Sequence, residues 1–242
     1  MAVAVRAKYG TVTWSGSTAS GTASVTTGSE VQSTDLLLVV YGSDYAPVGN
    51  TAMPALAGTG WTVHHTQNGE STSTYRARSI IASRAAAGGA ETVTANITDG
   101  GTVCLHVYAL SGADSSGILV GGASTNATSC AVPSLSAPGP GVVVAGWAPR
   151  YTGTTVTASG ITGGSGTVIA DGRYLYHTST LNDFFISMHE FEDGGATPTF
   201  AATSSSTLYW AGSAAFVPEF VPPDPTPPEA RRTAVRAAAF MA

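Results

Sequence analysis

Five histidines, two cysteines and two closely spaced glutamates are the residues of this chain whose types could carry chemistry. His64, His65, His106, His177 and His189 show no metal-binding spacing such as H-E-x-x-H, in which two imidazoles share one helical face. His106 falls in the alternating stretch 102–110 and reads as a structural histidine on a strand. Gly163-Gly164-Ser165-Gly166 approaches the turn that exposes a nucleophilic serine, but Thr167 stands where G-x-S-x-G requires its second glycine, so the segment reads as a loop tip. Glu190 and Glu192 share one strand face. Paired carboxylates can cleave glycosidic bonds, yet two on an exposed strand are ordinarily solvated. No phosphate-binding loop or calcium loop is present. The expectation is therefore no catalytic residue, no metal, no cofactor, and a protein that is not an enzyme.

Aromatic residues are the better lead. Tyr45 and Tyr151 are expected early in two long loops, where exposed rings can stack on sugars or close the end of a core; they are the candidate glycan contacts. Trp61, Trp147 and Trp210 fall in strand-like runs and are expected in the core. Cys104 and Cys130 lie in apolar contexts and read as buried thiols, with a bond between neighbouring strands left open.

The elements that must position these residues come in two sets. Asp35-Leu36-Leu37-Leu38-Val39-Val40-Tyr41 and Gly141-Val142-Val143-Val144-Ala145-Gly146-Trp147 are offset by 106 residues. The same offset aligns Gly58-Thr59-Gly60 with Gly164-Ser165-Gly166, Gly88-Gly89-Ala90 with Gly194-Gly195-Ala196, and Tyr45 with Tyr151. Of the 76 pairs between 35–110 and 141–216, 14 are identical. Apolar runs, turn signals and chain order agree in the two copies, which reads as a duplicated all-β unit. Each apolar run is short, bounded by Gly, and fits a strand buried on both faces. About fourteen strands are expected before residue 217, with no helical period. One jelly-roll-like two-sheet sandwich over 1–216 is preferred to two small domains.

At Val217 the composition changes. Six prolines between 218 and 228 make a stiff extended segment, followed by an Ala-rich end. Residues 1–229 carry a net charge of −8 and residues 230–242 a net +3. An acidic body argues against a nucleic-acid surface. The tail, 217–242, is expected to be a docking arm: Arg231, Arg232 and Arg236 would pair with carboxylates of a partner, and Val235 and Phe240 would fill apolar pockets. No run approaches a membrane span, and no apolar segment at the N-terminus reads as a signal peptide.

The D-L-L-L-V-V strand, the G-T-G-W-T-V strand, the long strand leading to A-G-G-A and the closing V-Y-A-L-S-G strand resemble lectin-like β-sandwich domains of tailed actinobacteriophages, minor tail proteins in particular. The likeness covers about residues 30–220 and rests on pattern, not on an invariant motif. The second copy departs from it where Thr167 replaces Trp61. The resemblance implies a virion structural protein assembled in the host cytoplasm, at the tail tip, with other virion subunits as partners and host cell-wall glycan as a contact. It further implies an oligomer within a larger assembly. The alternatives are a capsid decoration protein of the same fold and a carbohydrate-binding module.

Overall fold

A computed structural model describes residues 3–14, 21–47, 55–69, 75–97, 102–150, 158–163, 168–175, 183–191, 195–196 and 199–221. Among these the chain is all-β, with sixteen strands and no helix. The first eight are β1 (Ala4–Trp14), β2 (Gly21–Thr26), β3 (Leu36–Pro47), β4 (Ala55–Leu56), β5 (Thr62–Asn68), β6 (Tyr75–Ala85), β7 (Thr92–Ile97) and β8 (Thr102–Ser111). The second eight are β9 (Leu119–Ala131), β10 (Ser136–Ala137), β11 (Gly141–Arg150), β12 (Ala158–Gly163), β13 (Val168–Leu175), β14 (Asp183–Phe191), β15 (Gly195–Ala196) and β16 (Phe200–Pro218).

All pairings are antiparallel. One large sheet has the order β1-β8-β3-β6-β5, and the other runs β9-β16-β11-β14-β13 with β12 also on β16. Adding eight to each strand number of the first order yields the second. The small sheets are β2-β7-β4 and β10-β15. β16 is long enough to hold three neighbours: β9 follows one edge, while β11 (against 209–218) and β12 (against 200–204) share the other.

Why the two apolar runs are continuous is now visible. In β3, Leu36, Leu38 and Val40 enter one apolar cluster and Leu37, Val39 and Tyr41 another. In β11, Val142, Val144 and Ala148 enter the first cluster and Val143, Ala145 and Trp147 a third. Side chains alternate along a strand, so a strand covered on both faces has no polar phase. The first cluster lies between the two large sheets, and we call it the seam. The second lies between the first large sheet and β2-β7, and the third between the second large sheet and the segment 132–137. The single pair of sheets expected from sequence is thus four layers, small–large–large–small, because each large sheet buries both its faces.

Two polar bonds cross the seam without breaking it. Ser79 Oγ donates to Gly146 O at 3.0 Å, and Ser213 Oγ donates to Ser79 O at 3.1 Å. Both hydroxyls are fully buried, so these bonds remove a desolvation cost and fix the sliding register of the two sheets. At the turn after β6, Gly88 and Gly89 adopt φ of 90° and 74°, which only glycine takes freely, and Gly89 N donates to Val31 O.

Some elements differ from expectation. β3 passes Gly42 and continues to Pro47, with a register shift between Ser43 and Ala46, where a loop from Asp44 was expected. Leu119–Ala131 is one strand of 13 residues. β16 runs on to Pro218, with Val217 fully buried opposite Val142, so the body extends past the composition change at Val217. Register shifts also mark β1 between Val5 and Ala7, β5 between Val63 and His65, β12 between Ala158 and Gly160, and β13 between Val168 and Ala170.

Candidate functional site

The polar side chains that the fold gathers fall into two groups, one inside the seam and one on the rim of the first outer core. In the seam, residues of β8 with even numbers face the second large sheet: Cys104, Tyr108 and Leu110 are in its cluster. His106 lies among them, its Nε2 3.2 Å from Cys104 Sγ. Its ring crosses Gly10 of β1, where any Cβ would overlap it. Burial lowers the His106 pKa to about 4 and pushes the Cys104 thiol well above its usual range, so both are neutral. A cysteine–histidine nucleophile requires the opposite shifts and access to solvent; both side chains are almost wholly buried.

At the other edge of the same face, His64 Nε2 lies 2.7 Å from Ser83 Oγ. The distance suits a nucleophile and its base. Ser83 is buried beneath the seam and burial lowers the pKa of His64, while no carboxylate bonds His64 among the described residues. The adjacent His65 presents Nε2 to Gly122 of β9, where a Cβ would collide with both that nitrogen and Gln67 Oε1. That nitrogen is buried and has no hydrogen-bond partner. Burial lowers the His65 pKa, partly offset by a bond with Gln67.

On the rim, Arg84 forms an ion pair with Glu91 and stacks its guanidinium 4.7 Å above the Trp61 ring. Trp61 Nε1 donates to Ala57 O at 3.1 Å, and Glu91 also accepts from Ala87 N at 3.0 Å. Arg6 Nε pairs with the buried Asp35 at 2.8 Å, and Gln32 N donates to the same oxygen at 2.9 Å. Tyr9 OH donates to Glu30, which holds that exposed carboxyl below its usual pKa. These contacts tie loops to sheet edges. No group of three or more His, Cys, Asp or Glu able to hold a metal occurs among the described residues. Nor do they contain a helix long and apolar enough to cross a membrane.

The sequence-predicted residues fall as follows. Trp147 and Trp210 are fully buried in the third cluster, and Trp61 packs half-buried against the second. Cys104 and Cys130 are free thiols in different cores, the first in the seam and the second in the third cluster. The backbone of Tyr45 lies in the irregular stretch of β3, not in a loop, and its side chain is outside the described residues. Tyr151, Glu192, Arg231, Arg232, Val235, Arg236 and Phe240 lie outside the described residues.

Sequence reading missed the segment that delivers the chain to its tail. Asp114 N donates to Pro218 O at 2.9 Å, Glu219 N to Pro140 O at 3.0 Å, and Phe220 N to Gly112 O at 2.8 Å. Phe220 and Val221 are then 47% and 76% exposed. Two apolar residues directly ahead of a proline run were the available signal. Comparison with family models, curated proteins and solved structures finds no match to this chain.

Proposed function

We propose that the chain is a non-enzymatic structural protein of a tailed-phage virion, a minor tail component at the tail tip, joined to other virion subunits through its C-terminal arm. The observation that carries this reading is the fixed exit of the arm. Three backbone bonds clamp 218–220 against Gly112, Asp114 and Pro140, from two separate connecting segments, and Phe220 and Val221 are presented to solvent immediately afterwards. A rigid exit followed by prolines loses less entropy on docking than a flexible one. Under this reading Phe220 and Val221 join Arg231, Arg232, Val235, Arg236 and Phe240 as the docking residues, while Tyr45 and Tyr151 serve contact with host glycan.

The same reading includes a duplication. The two halves, each a large sheet with its small companion, are two jelly-roll-like copies of one unit related by a pseudo-twofold axis through the seam. Supporting it are the matched strand orders and the stacking of β5 on β9, β6 on β16 and β3 on β11. An experimental structure checks it: Leu36–Tyr41 should superpose on Val142–Trp147 with their sheet neighbours in the same order.

Location is tested by labelling particles of the encoding phage with antibody raised to the chain. Gold at the tail tip is the expected result. Gold on the head would establish the decoration-protein alternative, and unlabelled particles would overturn a virion role. A phage whose gene stops after Val221 should yield particles lacking the protein while its sandwich layers accumulate folded in the lysate. Normal incorporation would show that the arm is not the attachment.

A further inference from the structure

The two large sheets begin on equivalent strands that are finished in opposite ways. β1 opens the order β1-β8-β3-β6-β5, and β9 opens the order β9-β16-β11-β14-β13. β1 carries Arg6 and Lys8, both exposed, and its register shifts between Val5 and Ala7. At the far margins, β5 is interrupted between Val63 and His65, and β13 between Val168 and Ala170. Charges and bulges of this kind keep an outer strand from pairing further. β9 has neither over Leu119–Ala127. Those residues pair with Phe216–Leu208 in nine consecutive steps without a shift. They include no charged residue and no proline. Among the described residues, β16 is the one strand that pairs with β9.

We infer that the edge of β9 is a docking surface for a second copy of the chain, the two β9 strands pairing antiparallel about a twofold axis. β9 is packed like an inner strand. Leu119 and Ala123 lie against the third cluster, and Val120 lies against the seam. Gly121 meets Pro133 and Leu135, and Gly122 meets His65 and Gln67. Trp210 Nε1 donates to Ala127 O at 3.0 Å and Cys130 Sγ lies 3.9 Å from Ala123 O, contacts that anchor the strand to its own core. With both faces covered, β9 offers a neighbour its backbone. In an antiparallel ladder every second residue turns its N–H and C=O away from the strand it pairs with. Charge selects the occupant. Residues 1–229 carry a net charge of −8, so two bodies in contact repel each other. β9 and the strand behind it, β16, contain no charged side chain, so two acidic bodies can meet here without opposing carboxylates. A twofold sets the strand against itself and requires no second surface. With the axis at Ala123, Val120 of each copy faces Asn126 of the other. This interface is separate from the C-terminal arm and does not rest on a virion role.

The full chain is sedimented at concentrations from about 1 to about 100 μM. A monomer–dimer equilibrium is expected, tighter in about 0.5 M salt than in about 0.05 M, because salt screens the repulsion between acidic bodies. Docking of the basic tail onto an acidic body would respond to salt with the opposite sign, which separates the two kinds of contact. Hydrogen exchange should slow at the amides of 119–127 in the dimer and stay unchanged in β1, the guarded counterpart. Asn126 is exposed, and Asn126→Asp places a carboxylate on the edge at nearly constant shape. It should raise the dimer dissociation constant about tenfold or more. Asn126→Lys, which gives β9 the guard that β1 has in Lys8, serves the same purpose should the first variant not fold. A monomer at every concentration would overturn the proposal. So would a dimer weakened by salt, unaltered exchange at 119–127 in the dimer, or a dissociation constant indifferent to the added charge.

Discussion

The two outer cores solve one packing problem with different materials. In the first half the lid is a three-stranded sheet, and small residues, Ala23, Val25, Val93 and Ala95, let it approach the large sheet closely. Its outer surface is held by hydroxyl pairs, Ser24 with Thr94 at 2.8 Å and Thr26 with Thr92 at 3.2 Å, and its rim by Arg84 with Glu91 and Trp61. In the second half the described lid is only the β10-β15 pair, and the space beneath it is filled by Trp147, Trp210, Phe200 and Phe216, all fully buried. The 106-residue offset places Glu190, Thr197 and Thr167 where the first half has Arg84, Glu91 and Trp61. Those three residue types cannot repeat the charged clasp, and among the described residues aromatic volume fills the second core. A strand order can therefore be kept while the forces that close it are exchanged.

That contrast is broken most severely at Trp210. Trp210→Ala empties the largest volume in the second core and loses the bond from Nε1 to Ala127 O at 3.0 Å. The expected loss is about 3–5 kcal/mol, read from urea unfolding. A loss below about 1 kcal/mol would show that aromatic volume is not what closes this half.

Arg84→Ala probes the first half's clasp. It removes a partly buried ion pair and the stack on Trp61, and should cost roughly 1–2 kcal/mol. Trp61 fluorescence should shift to the red as its covered face meets water. An unchanged stability would make the clasp ornamental to the fold.

Ser79→Ala sharpens the comparison by touching neither outer core. It deletes the hydroxyl bonded to Gly146 O in the seam, at an expected cost of about 1 kcal/mol. Hydrogen exchange should quicken at seam-lining amides of β6 and β11 and stay unchanged at β2 and β7. Equal acceleration in both regions would mean that the seam and the first core open as one unit.

How much of this was legible in the sequence depends on whether a residue's environment leaves a periodic trace. The all-β class and the two central strands were legible, because a strand covered on both faces must be apolar without interruption, as Leu36–Tyr41 is. β9 was not: L-V-G-G-A-S-T-N-A-T-S-C-A shows no alternation, and the need for glycine at 122, where His65 and Gln67 leave no room for a Cβ, comes from a distant strand. The layer count was not legible either, since a run buried on both faces does not say how many sheets bury it. The strand around His106 was legible from its alternation, and the structure buries the ring there. Its place on the same sheet face as His64 and His65 was invisible, because β8 and β5 lie at separate places in the sheet order and the histidines are 42 and 41 residues apart in sequence. In the sequence Gly42 reads as the end of the strand, whereas β3 absorbs the glycine, bends between Ser43 and Ala46 and carries the backbone of Tyr45 with it.

The register shifts on β1, β5, β12 and β13 have a bearing on crowding. A flat outer strand offers an unbroken row of amides and carbonyls to any neighbour, and identical chains held at high local concentration would zip together along it. Here the shifts at Val5/Ala7 and Val63/His65 interrupt both margins of the first large sheet, and the shift at Val168/Ala170 interrupts one margin of the second. An edge interrupted in this way is a poor template for a second backbone, so ribbon-like fusion of one copy to another along these margins is disfavoured.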